Sequence, residues 1–127
     1  MVTASLHNYR QSPRKVRLVA TLIKGKTVDQ ALNMLGVTVK RASDPIAKLL
    51  LSAVANAKDR NVNTDGFVVL ECTVNQGYTM RRMMPGARGS GFPIRKKTSH
   101  VKLVIGPKAS KKAAKAAPVE KAAKTTK

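Results

Sequence analysis

Residues Phe67 to Ile105 run FVVLECTVNQGYTMRRMMPGARGSGFPIRKKTSHVKLVI. Both ends of this stretch alternate with period two. Val68, Leu70, Cys72 and Val74 fall on one side and Val69, Glu71, Thr73 and Asn75 on the other, the pattern of a half-buried strand. Val101, Leu103 and Ile105 repeat the pattern, with Lys102 outward. Between them lie about 25 residues with almost no core-forming pattern, too long for a structureless loop inside a compact body. The economical reading is a long β-hairpin, over about residues 78–98, that leaves the body. Roughly 10 residues per arm at about 3.3 Å each give a reach on the order of 30 Å. Pro85, Gly86, Gly89, Gly91 and Pro93 belong near its bend. An isolated hairpin is marginal in water, so this one needs something outside itself to pack on.

Charge says what that something is. The 127 residues carry 25 Lys and Arg against 6 Asp and Glu, a net charge of +19. Residues 1–77 hold 11 basic and 5 acidic side chains. Residues 78–105 hold seven basic ones (Arg81, Arg82, Arg88, Arg95, Lys96, Lys97 and Lys102) and no acid. Residues 106–127 add seven Lys and one Glu in a Lys, Ala and Pro sequence of low complexity, expected to be a disordered tail on a single domain of residues 1–105. A balance this basic draws polyanions, and nucleic acid is the simplest of them. A membrane surface is the second candidate, but no apolar run approaches the roughly 20 residues of a spanning helix. The N-terminus also lacks the pattern of a secretory signal. The expected partner is therefore nucleic acid, with no membrane and no small-molecule substrate.

The remaining sequence supplies the body. Residues 2–8 alternate weakly around Ala4 and Leu6, as a short strand does. Ser12-Pro13 is a helix start, and Gly25 suits the residue after a helix that ends near Lys24. Val16, Val19, Ala20 and Ile23 form its core face. Leu18 and Leu22 are expected to widen that face, leaving Arg14, Arg17, Thr21 and Lys24 on the other side. A second helix is expected from Val28 to about Leu35, capped by Thr27 and ended by Gly36. A third lies between about Lys40 and Arg60, with Asp44-Pro45 at its start or at a kink. Ile46, Leu49, Leu50, Ala53, Val54 and Ala57 form its buried side. Asp65-Gly66 marks the turn into the strand that follows.

The candidate contacts follow from charge and position. In the arm, Met80, Arg81, Arg82, Met84, Pro85, Gly86, Ala87, Arg88, Gly89 and Ser90 form a phosphate-gripping, Met-lined apex. The bland alternative, a solvated loop, fits poorly with so many cations and no acid. Arg95, Lys96 and Lys97, followed by Thr98, Ser99 and His100, offer charge and neutral donors to phosphates and 2′-hydroxyls. The competing role is a charged edge that discourages aggregation. Arg10, Arg14, Lys15 and Arg17 surround the start of the first helix, whose free amides also suit a phosphate. With four aromatic residues in all, contact through phosphates, sugars and shape is expected rather than base stacking.

Catalysis finds no footing. His7, His100 and Cys72 make no zinc spacing. A lone Cys72 on an inward strand face is an inert buried thiol more readily than a nucleophile, and it excludes an internal disulfide. There is no phosphate-cradling Gly-rich loop before a lysine and no nucleophile–base pair. No enzyme activity, metal or cofactor is expected. The rival from another class is a histone-like, DNA-compacting protein, because a Lys-Ala-Pro tail suits both.

Ser12-Pro13-Arg14-Lys15-Val16-Arg17-Leu18-Val19-Ala20 and Ile23-Lys24-Gly25-Lys26 resemble the opening of bacterial large-subunit ribosomal protein twenty-two. Ser52-Ala53-Val54-Ala55-Asn56-Ala57 is similar to that family's long helix. Met80-Arg81-Arg82, Met84-Pro85 and Arg88-Gly89 resemble its hairpin apex, and Lys97-Thr98-Ser99-His100 its return arm. The resemblance covers about residues 4–105. It implies an α+β fold with three helices packed on a three-stranded antiparallel sheet, plus the extended hairpin. It also implies a structural role in the large subunit. There the protein would bind 23S-type rRNA, assist assembly and line the nascent-peptide exit tunnel with the hairpin, next to neighbouring ribosomal proteins and the passing nascent peptide, in the cytoplasm. By the same resemblance, Met80, Arg81 and Arg82 fall in the region tied to macrolide response. The chain departs from the family at Gly86 and Ser90, where a basic residue is usual, and in Gly91-Phe92-Pro93.

Overall fold

A computed structural model describes residues 1–107; of the expected disordered tail, Gly106 and Pro107 belong to the last strand and the rest lies outside the described residues. The elements are strand β1 (Val2–Tyr9), helices α1 (Pro13–Ile23), α2 (Val28–Val37) and α3 (Ser43–Asp59), strand β2 (Phe67–Pro85), a single 3₁₀ turn (Ala87–Gly89) and strand β3 (Gly91–Pro107). The sheet is antiparallel with order β1-β3-β2, so the last strand lies in the middle. This is the α+β arrangement expected, with three helices against a three-stranded antiparallel sheet.

Each helix begins and ends for a local reason. Ser12 is extended (φ −63, ψ 133) and Pro13, whose missing N–H is not needed there, opens α1. Lys24 caps α1, and Gly25 takes φ +78, a left-handed conformation that costs glycine little. Thr27 accepts from the Gln30 amide at 3.4 Å and opens α2. Gly36 does not end α2 as expected: the helix continues to Val37. It stops where Thr38 returns both its hydroxyl (2.6 Å) and its N–H (3.1 Å) to the Met34 carbonyl. Pro45 sits in the first turn of α3 and starts the helix without kinking it.

One face of the sheet is buried under the helices. Val2 and Ala4 of β1, Val101, Leu103 and Ile105 of β3, and Val69 and Val74 of β2 meet Val16, Val19, Ala20 and Ile23 of α1 and Ile46, Leu49, Leu50, Ala53 and Ala57 of α3. Two expectations fail here. Leu18 is 67 % and Leu22 37 % exposed, because α1 lies along the edge strand β2 and only one side of it reaches the sheet. The phase assigned to β2 holds from Glu71 to Asn75, with Cys72 and Val74 inward, and fails before it. Val69 pairs with Ile105 and Glu71 with Val104, so Leu70 is an extra residue, and this bulge reverses inward and outward before it. Val69 is therefore fully buried and Leu70 partly exposed.

The outer edge of β2 is closed by α1 and the chain that follows it. The Gly25 amide donates to the Val69 carbonyl (2.8 Å) and the Val69 amide to the Lys26 carbonyl (2.9 Å). Arg17 donates through Nε and Nη2 to the Val74 carbonyl at 3.1 and 2.9 Å. Beyond this level the sheet loses β1, whose last rung is Tyr9 with Ser99. β2 and β3 continue alone to the rung Pro85–Gly91. This two-stranded part spans roughly 20–25 Å, less than the full arm length because the body covers its root.

Candidate nucleic-acid interface

The arm stands clear of the body. Arg81 to Pro85 on β2 and Gly91 to Lys97 on β3 are exposed throughout. Burial begins abruptly at Thr98. The rungs place Arg81 directly opposite Arg95, Arg82 opposite Ile94, and Met80 opposite Lys96. Like charges facing each other across a ladder destabilise the pair. An anion placed between those guanidiniums would offset that cost. At the apex, the Gly86 amide donates to the Ser90 carbonyl (2.7 Å), and Arg88 and Gly89 take φ of +56 and +73. The left-handed Arg88 costs about 1–2 kcal/mol, and its side chain is exposed.

A second concentration of charge lies where β1 leaves the sheet. The Gln11 amide donates back to the Tyr9 carbonyl (2.8 Å), and the chain turns into α1. The turn and the arm root enclose a cleft of about 660 Å³. Arg10, Gln11, Ser12 and Lys15 come from the turn and the start of α1, Arg41 from the approach to α3, and Met80, Arg95, Lys96 and Lys97 from the arm. Among the described residues, six cations line this cleft and no carboxylate does. The Ser12 side chain makes no capping bond, and no acid stands in the first turn of α1 to satisfy its amides. An anion entering the cleft meets fixed positive charge on three sides.

The structure thus brings Arg10 and Lys15 together with Arg95, Lys96 and Lys97, and strings Arg81, Arg82 and Arg88 along the arm. Arg14 is exposed on α1 outside the cleft lining. Arg17 is committed to the Val74 carbonyl, where it closes a strand edge. Thr98 and Ser99 lie inside the root of the arm: Thr98 Oγ1 donates to the Tyr78 carbonyl (2.7 Å), and Ser99 Oγ is buried without a partner. His100 accepts the Asn8 amide at Nδ1 (3.1 Å), with the His7 ring 5.4 Å away. Thr98 and His100 tie the root together, Ser99 is packed inside it, and the cations Arg95, Lys96 and Lys97 beside them are exposed. Met84, Pro85, Ala87 and Ser90 lie at or beside the bend.

Sequence reasoning missed Arg41, Gln11 and Ser12. Arg41 lies far along the chain from the arm and reaches it only through packing, with the Tyr9 hydroxyl donating to the Arg41 carbonyl (3.1 Å). Its one sequence signal was the Lys40-Arg41 pair. Burial pushes the Tyr9 hydroxyl up, opposed by Arg41 and reinforced by Asp44. Burial likewise pushes the Cys72 thiol up to about 11, against a smaller opposing effect of Lys24, which suits an inert core thiol. Among the described residues no group of three or more His, Cys, Asp or Glu side chains could hold a metal ion, and no helix is long and apolar enough to cross a membrane.

Comparison with known proteins agrees with this geometry. Residues 4–106, body and arm together, match the family described as Ribosomal protein L22p/L17e. The large ribosomal subunit protein uL22 of Myxococcus xanthus is 49 % identical over 106 residues, covering 81 % of this chain and 93 % of the relative. The uL22 of Acetivibrio thermocellus is 50 % identical over 103 residues (80 % and 82 %), and that of Desulfosudis oleivorans 42 % over 110 residues (87 % and 96 %). With the three helices and the whole arm inside the matched region, the chain belongs to the L22p/L17e family of ribosomal proteins.

Proposed function

We propose that this protein is a structural constituent of the large ribosomal subunit that binds 23S-type rRNA, assists subunit assembly and lines the nascent-peptide exit tunnel with its hairpin. The body fixes the direction of the arm. Arg81, Arg82, Arg88, Arg95, Lys96 and Lys97 then replace condensed counterions on rRNA phosphates, while Arg10, Lys15 and Arg41 hold the backbone at the arm root. The mechanism is static and performs no chemistry. Neighbouring ribosomal proteins cover the rest of the body, and the nascent peptide passes the apex. The protein works on the ribosome, in the cytoplasm.

One observation carries this reading: an exposed arm with Arg81 facing Arg95 and no acid along its length needs an enclosing polyphosphate. Family membership supports the choice of rRNA over other polyanions. The test is copurification of the tagged protein with large subunits, followed by crosslink mapping on rRNA. Crosslinks from arm positions to large-subunit rRNA are expected. A cellular pool chiefly free of ribosomes, or duplex DNA bound more tightly than rRNA at physiological salt, would refute it.

A further inference from the structure

The arm carries more than cations. Of the four aromatic side chains, Phe67 is buried and Tyr9 half-buried, whereas Tyr78 is 74 % and Phe92 61 % exposed, and both exposed rings stand on β2 and β3 beyond the body. Phe92 lies against Gly86. A β-carbon at Gly86 would overlap the edge of its ring, 2.8 Å from Cδ2, so the ring rests on backbone that only glycine leaves open. Met84 is the rung partner of Phe92, and the next rung on that face is Ile94 with Arg82, since residues two apart share a face. Met84, Phe92 and Ile94 therefore form a small apolar platform, with Arg82 beside Ile94 and about 7 Å along the strand from Met84.

We infer that this platform takes an unpaired RNA base stacked on Phe92, with Arg82 on the phosphate of the same or the adjoining nucleotide. The inference rests on the RNA-binding reading and adds where a base is held. Charge selects the occupant. Seven cations and no carboxylate over residues 78–105 concentrate a polyanion there, and an apolar polypeptide gains nothing from them. Paired bases are already stacked inside a duplex, so the ligand is a loop, bulge or single strand. The scarcity of aromatics argues against stacking only while their positions are unknown.

The chain contains no tryptophan, so Phe92→Trp introduces a sole indole reporter. The probes are a short single-stranded RNA, the same RNA annealed to its complement, and inorganic polyphosphate, each at a salt concentration where it binds. Single-stranded RNA should quench the indole, while polyphosphate and duplex bind with little change in emission. Phe92→Ala should weaken single-strand binding by roughly 5-fold or more without changing its salt slope, and Phe92→Tyr should preserve it. Equal emission with all three probes, or full affinity in Phe92→Ala, would overturn the inference while leaving RNA binding intact. A response to an apolar peptide but not to RNA would overturn it too. Failure of every variant and the parent chain to bind RNA would overturn the proposed function as well.

Discussion

At Gly77 there is no space for a β-carbon: it would lie 2.6 Å from Thr98 Oγ1 and 2.7 Å from His100 Nε2. Neither neighbour is free to yield, because Thr98 Oγ1 bonds to Tyr78 and His100 Nδ1 to Asn8. Gly77→Ala should therefore cost about 1–3 kcal/mol, the usual range for overpacking, and lower Tm by several degrees. Gly36 is the contrast. It lies inside α2, without positive φ, and an added methyl would meet nothing within 4 Å, so Gly36→Ala should raise stability by about 0.5–1 kcal/mol. Thermal unfolding of the two variants side by side checks both signs. Cys72 gives a third prediction. Its thiol is raised from 9.0 to about 11 by burial, so the native state favours the neutral form. The stability this contributes is complete below about pH 9 and is lost as pH rises through about 11. At pH 9 a thiol reagent should react far more slowly with the native chain than with the urea-unfolded one; equal rates would show an accessible thiolate.

Among elements, β3 decides the geometry. Both of its neighbours bulge at adjacent levels on either side of Ser99: β1 between Leu6 and Tyr9, with Asn8 at φ +56, and β2 between Gln76 and Thr79. Bulges bend a strand and increase its twist, so these levels, opposite Thr98 to His100, set the direction in which the arm leaves. The core lies elsewhere. Replacing Met80 to Lys96 by an Asn-Gly turn between the rung partners Thr79 and Lys97 should leave a body that still unfolds cooperatively. Loss of the cooperative transition would show that the arm helps to hold the body together. Much of this was legible in the sequence. Period two in 67–75 and 101–105, around an acid-free interval, announced the hairpin, and Ser12-Pro13 and Gly25 marked the ends of α1. The bulges were not legible, because an extra residue at Leu70 leaves no trace until the partner strand fixes the count. Nor was the commitment of Thr98 and Ser99 to the root, or the arrival of Arg41 in the cleft, since both depend on packing between distant segments. Gly86 and Phe92, two departures from the family pattern, read as separate oddities in the sequence and prove to be in contact.

Over the whole molecule, charge is segregated. The body mixes acids with bases, whereas the arm and the cleft at its root present cations alone. Arg81 faces Arg95 across the ladder and residues 78–105 hold no acid, so under the proposed function a polyphosphate supplies the balancing charge. Salt dependence of binding to large-subunit rRNA tests this most directly. A plot of log affinity against log salt should have a slope of several units for the parent chain. Replacing Arg81, Arg82, Arg95, Lys96 and Lys97 by Gln should reduce that slope by roughly four, since each phosphate contact contributes about 0.7–0.9. An unchanged slope after removal of all five charges would contradict the account.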